Sequence, residues 1–152
     1  MSEPFAVSRG EPPRLETPTG SDAWVMARES STGGALSVVE LLNPPHDGPA
    51  THIHTRDDEI WYVLDGEYRF KTGDSIVTLT TGGLAYGPRG LPHAFQNVAA
   101  TPGRLLIITA PAGLEHFFES YDPDDPTSLT TASATAGITF TAPPLAITHP
   151  LP

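Results

Sequence analysis

Glycine and proline interrupt this chain so often that long helices have little room to form. The 14 Gly and 17 Pro residues are spread through a length of 152. Between the breaks lie short runs rich in β-branched, aliphatic and aromatic residues, such as Ile60 to Leu64 and Arg104 to Thr109. Many short strands joined by tight turns are what such a pattern can build. Turn signals fall at Ser30–Gly34, Asn43–Pro49, Thr72–Asp74, Gly82-Gly83 and Pro88–Gly90, and Asp65-Gly66 is a hairpin dipeptide.

Within that rhythm, two stretches gather metal-binding side chains. His52 and His54 stand two apart, which puts both on one face of a strand. Glu59 lies five residues beyond His54, an odd step that would turn it to the opposite face of an unbroken strand. The polar segment Thr55, Arg56, Asp57 and Asp58 is therefore read as a loop or bulge that resets the register. Glu59, Trp61 and Val63 then share one face, with Ile60, Tyr62 and Leu64 on the other. His93 arrives from a later strand, Pro92 to Val98. The chain has no cysteine, so any metal must take nitrogen and oxygen ligands. Imidazole and carboxylate suit a divalent transition metal ion: Fe, Ni, Mn, Co, Cu or Zn.

Eight basic against eighteen acidic side chains give a formal charge of -10. That balance repels nucleic acid and anionic membrane surfaces and leaves a small molecule as the expected partner. The first ten residues lack a basic-then-apolar leader pattern, and Leu105 to Ile108 is far too short to span a bilayer. The expectation is a cytoplasmic protein. Residues 1–20 read as a polar N-terminal arm, 21–112 as the strand-rich domain, and 113–152 as a C-terminal helix and extended tail. In the last part, Leu114 to Tyr121 has helical spacing. Thr127 to Ala136 reads as a weak helix capped by Asp125, with Pro126 first and Gly137 last, or else as a flexible tail. Ile138 to Thr141 reads as a short strand.

The two stretches resemble the paired motifs of the cupin superfamily. The first motif is Gly, five residues, His-x-His, three or four residues, Glu, six residues, Gly. His52, His54, Glu59 and Gly66 fit it, while the opening glycine is replaced by His46, with Gly48 close by. That departure is expected to shift a turn and spare the ligands. Gly82, Pro88, Gly90, His93 and Asn97 match the second motif in full. The resemblance implies an all-β fold, a double-stranded β-helix or jelly-roll barrel with a short C-terminal helical segment. It also implies a metal inside, held by His52, His54, Glu59 and His93. Asp58 competes with Glu59, but only Glu59 keeps the six-residue distance to Gly66. The segments PAGLEHFF and GITFTAPPL further resemble single-domain cupins of the quercetin 2,3-dioxygenase-like type. By that likeness Glu59 is also the catalytic proton acceptor, and the chain is a homodimer.

Trp61, Val63, Phe70, Tyr86 and Phe95 are the candidates for an apolar substrate pocket, each with plain core packing as the alternative. Phe117 and Phe118 are read as covering the outside of the barrel, with a lid over its mouth as the alternative. His46, His116 and His149 read as solvated histidines, Asn97 as a turn or supporting residue, and Asp122, Asp124 and Asp125 as a solvated break. The leading functional expectation is a dioxygenase acting on a small oxygenated aromatic or enol. The rivals are a non-oxidative isomerase, cyclase or lyase, and a binding module without catalysis.

Overall fold

The computed structural model describes residues 2–152. In chain order these form β1 (Leu15–Glu16), β2 (Asp22–Ala27), α1 (Glu29–Thr32), β3 (Ser37–Asn43), β4 (Ala50–His54), β5 (Asp58–Asp65), β6 (Glu67–Thr72) and β7 (Ser75–Thr80). There follow β8 (Leu84–Gly87), β9 (His93–Asn97), β10 (Gly103–Ala110), α2 (Glu115–Ser120), α3 (Ser128–Ala136), β11 (Ile138–Pro144) and α4 (Leu145–Thr148). Two antiparallel sheets result, ordered β1-β2-β3-β10-β5-β8 and β11-β4-β9-β6-β7. From β3 onward the chain changes sheet at every step except the β6–β7 hairpin, which gives the expected all-β, double-stranded β-helix.

Period-2 alternation decides what lies between the sheets. In β5, Glu59, Trp61 and Val63 point inward and are buried, while Tyr62 on the opposite face is exposed. In β10, Leu105, Ile107 and Thr109 point inward, against Val39 and Leu41 of β3 and Tyr68 and Phe70 of β6. Each large apolar side chain so buried contributes about 1.5–3 kcal/mol relative to exposure. The loop expected over Thr55 to Asp58 is present at residues 55–57, with Asp58 already the first residue of β5, and it carries the chain from one sheet to the other. β4 and β5 lie in different sheets.

The two ends of the chain are more ordered than their composition suggests. In the expected arm, β1 pairs with β2, Arg14 bonds Asp22 at 2.7 Å, and Arg9 reaches Glu40 at 2.9 Å. Ser30–Gly34 forms the short helix α1 and a left-handed turn instead of a simple turn. The Thr/Ala-rich stretch is helical, but its first helical residue is Ser128 and its cap position is Thr127. Asp125 instead accepts hydrogen bonds from the N–H and hydroxyl of Thr127, closing the turn just before the helix. Small side chains suit α3, which buries Ala132 and Ala136 against α2. The tail is no loose extension: β11 pairs with β4 from Ile138 to Pro144 and completes the sheet that carries His52, His54 and His93.

Candidate metal centre

His52 and His54 lie on β4 and His93 on β9, in one sheet, and Glu59 lies on β5 in the other. His52 and His93 are register partners. The three imidazole centroids stand 4.6–5.2 Å apart. One ligand atom from each of the four residues lies within 4.8 Å of the others, and all four residues are buried. A cation here would join the two sheets.

Each imidazole is oriented from behind through Nδ1. His52 Nδ1 meets the Ala50 carbonyl at 2.7 Å, His54 Nδ1 meets Asp57 Oδ2 at 2.7 Å, and His93 Nδ1 meets the Leu91 carbonyl at 3.1 Å. Donation from Nδ1 leaves the Nε2 lone pairs facing the common centre. Glu59 Oε2 approaches His93 Nε2 at 2.8 Å and His54 Nε2 at 3.2 Å. Yet, among the described residues, Glu59 Oε2 and His93 Nε2 are buried without an assigned hydrogen-bond partner. Buried acceptor atoms converging in this way are satisfied by a proton shared between them or by a bound cation. The residues therefore fit a divalent metal with three imidazoles and one carboxylate as donors.

The electrostatics agree. Burial, then the neighbouring His93 and His54, push His52 down to about 3, so it stays neutral. Burial pulls His54 down too, but the charge of Glu59 and the bond to Asp57 outweigh it, and its pKa is raised. Burial would raise Glu59, but the His54 charge and the approach of His93 and His52 hold it down at about 2. An ionised Glu59 thus draws positive charge, whether a proton or a metal, to one point.

The second carboxylate in the motif is turned away. Asp58 accepts hydrogen bonds from the Arg89 backbone N–H at 2.9 Å and from its guanidinium at 3.1 and 3.3 Å, on the rim. His46 is exposed and adopts φ +63°, the left-handed conformation that glycine would take there without strain. Gly48 makes the close approach: a Cβ on it would fall 2.0 Å from the Phe95 carbonyl oxygen. Asn97 supports this loop by donating to the carbonyls of Asn43, Pro44 and Thr101. His116 lies 3.1 Å from Glu29 on the surface, and His149 is exposed. The acidic break is a set of exposed turns.

A cavity of about 270 Å³ opens beside the donors, lined in part by His52, His54 and Glu59. Of the five pocket candidates only Phe95 lines it. Trp61, Val63 and Phe70 are core: Trp61 stands edge-on to His93, 5.0 Å away, with Phe70 behind it. Tyr86 pairs with outward-facing Ile60, so it too points outward and is 52% exposed. The walls come instead from Leu41, Ile107, Leu114, Phe117, Phe118 and Phe140, among others. Phe117 and Phe118 therefore face the cavity and do not merely cover the barrel.

The cupin domain family matches residues 38–109. An uncharacterised protein of Methanocaldococcus jannaschii is 25% identical over 79 residues, 52% of this chain, and the chain spans 63% of that protein's length. The oxalate-binding protein of Thermotoga maritima is 24% identical over 86 residues, covering 57% of this chain and 71% of that protein. Among solved structures, KdgF from Halomonas sp. superposes with a TM-score of 0.65 at 16% identity, covering 72% of this chain and 94% of that one. Identity that low speaks for the fold alone. Both motifs, the two-sheet architecture and the family match point the same way: residues 38–109 are similar to the cupin domain, and the fold is that of its structural neighbours.

Proposed function

We propose that this chain is a metal-dependent enzyme that binds a small oxygenated aromatic or enol at His52, His54, Glu59 and His93, and that its chemistry is that of a dioxygenase. One observation carries this reading: four donors lie buried within reach of one another, and three of them, His52, His54 and Glu59, line a cavity whose other walls are mostly apolar. When bound, the ion supplies Lewis acidity for an oxygen ligand and, if redox-active, electrons for dioxygen. The chain's own residues do the rest. The Nδ1 contacts fix the imidazoles. Ionised Glu59 is placed to accept the proton of a substrate hydroxyl. The apolar walls keep water from the reacting end.

The same donor set also accepts zinc, which supports a non-oxidative isomerase, cyclase or lyase as the second reading. Metal titration followed by oxygen-electrode assays separates the two. Fe, Ni, Co, Mn, Cu or Zn should raise the melting temperature. At a hundredfold excess over Kd the gain is about 2.7 kcal/mol, several degrees for a domain of this size. Oxygen uptake with catechols or 1,3-diketones should follow with a redox-active ion. Metal binding without uptake for any ion would remove the dioxygenase reading. No thermal shift with any ion would remove the metal centre.

A further inference from the structure

We propose that Phe140 selects the substrate, as one wall of a slot for a flat, uncharged ring carrying adjacent oxygens. The proposal rests on the metal-binding reading above and deepens it. β11 pairs with β4 so that Phe140 stands opposite His52, and Ile138 opposite His54. Paired residues project from the same face of a sheet, so both side chains flank the metal donors. The Phe140 and His52 rings lie 6.0 Å apart, inclined at 62°.

Phe140 is 41% exposed although it lines the cavity. A half-open aromatic face beside metal donors offers large apolar contact at little entropic cost. Phe95, Phe117 and Phe118 supply further aromatic wall. No Lys or Arg is among the lining residues. A carboxylate or phosphate on the body of the ligand would lose its water with no cation to replace it. The charge of the ligand must therefore lie at the oxygens that meet the metal.

Size narrows the class further. A cavity of about 270 Å³ stands at the small end of the range of ligand pockets, about 300–1,000 Å³, which favours a single ring with a short apolar branch over a three-ring flavonol. The selecting residue lies on a strand outside the matched domain, 38–109. Chains sharing only that domain would then share the metal donors without sharing this specificity.

The test is anaerobic calorimetry on the zinc-loaded full chain with 4-tert-butylcatechol, quercetin and oxalate. The substituted catechol should bind at least tenfold more tightly than either of the others. Phe140→Ala should cut that affinity at least tenfold while leaving cobalt affinity, measured by chelator competition, within twofold of wild type. Should the alanine variant unfold, Phe140→Leu serves, with an expected loss of at least threefold because bulk remains without the flat face. Tighter binding of oxalate or quercetin would overturn the substrate class. Unchanged catechol affinity in a folded, metal-competent variant would overturn the role of Phe140. Failure of wild type to bind zinc would register before any ligand is added and would sink the metal reading itself.

Discussion

Asp57 Oδ2 lies 2.7 Å from His54 Nδ1, with both side chains buried. The carboxylate fixes the tautomer that presents Nε2 to the metal centre, and it raises the basicity of that nitrogen. Partners of this kind govern affinity by about 10–100-fold. Asp57→Ala should lose that much metal affinity in a chelator-competition titration while circular dichroism stays native. Asp57→Asn, whose amide oxygen can still accept the bond, should fall between the two. Equal affinity across all three would reduce Asp57 to a turn residue.

The loop before β4 contains two opposite backbone problems. His46 holds a left-handed φ at a cost of about 1–2 kcal/mol for an L-residue. Glycine there loses about 0.5–1 kcal/mol through chain entropy. His46→Gly should therefore stabilise the fold by about 0.5 kcal/mol, seen as a higher urea midpoint. Gly48→Ala should do the reverse, because its Cβ would strike the Phe95 carbonyl oxygen. A loss of about 2–4 kcal/mol is expected. A neutral Gly48→Ala would mean that β9 can retreat without cost.

Glu115 anchors α2 to the barrel. Its Oε1 accepts the Glu29 N–H at 2.6 Å, and its Oε2 accepts the Gly113 N–H at 2.9 Å and the Ser37 hydroxyl. Burial acts to raise its pKa, but these bonds outweigh burial and hold it below the ordinary value of 4.5. A carboxylate depressed in the folded state adds stability above its unfolded pKa and loses it as pH falls through the folded one. Glu115→Gln should cost about 1–3 kcal/mol at pH 7. That deficit should shrink below pH 4.5 as wild type becomes protonated. Denaturant curves from pH 7 down to pH 3 would read it. A deficit that stays constant with pH would show that the charge of Glu115 is not what holds the helix.

Arg69 is buried on β6 and, among the described residues, has no carboxylate partner. It donates to Gln96 Oε1 at 2.7 Å, to the Leu145 carbonyl at 3.0 Å and to the His149 carbonyl. Those carbonyls lie at the two ends of α4, so the guanidinium ties that helix to the sheet. Arg69→Met should release α4 and raise amide exchange across residues 145–149 at least tenfold, with a cost of about 2–3 kcal/mol. Mass-spectrometric exchange would show it. Unaltered protection there would mean that Leu145 alone, which is buried, secures the helix.

The strand rhythm and the cluster of His52, His54, Glu59 and His93 were legible because both depend on short-range spacing. His52 and His54 had to share a face, and the odd step to Glu59 required a break, which the structure realises as a change of sheet. The cavity walls were not legible in the same way. Trp61, Val63 and Phe70 share the inward face that suggested them, but the barrel places them in the core. Phe140 and Ile138 reach the site only because a distant strand pairs with β4, and a Thr- and Pro-rich segment carries no periodic signal for that. Asp57 read as a turn former, since nothing in the spacing marks a carboxylate as the support of a histidine. Asp-Pro is a strong start signal, and reading Asp125 as the cap starts the helix two residues before the observed cap position, Thr127. The Asp125 side chain closes the preceding turn instead.

The pairing of β11 with β4 also sets an order of assembly. His52, His54, Glu59 and His93 are all translated before Ile138 begins the strand that flanks them. A nascent chain on the ribosome thus has every donor before it has the side wall, and through that interval the edge of β4 lies bare. On the proposed reading, metal capture and substrate selection become separable events, with the second waiting on residues made later.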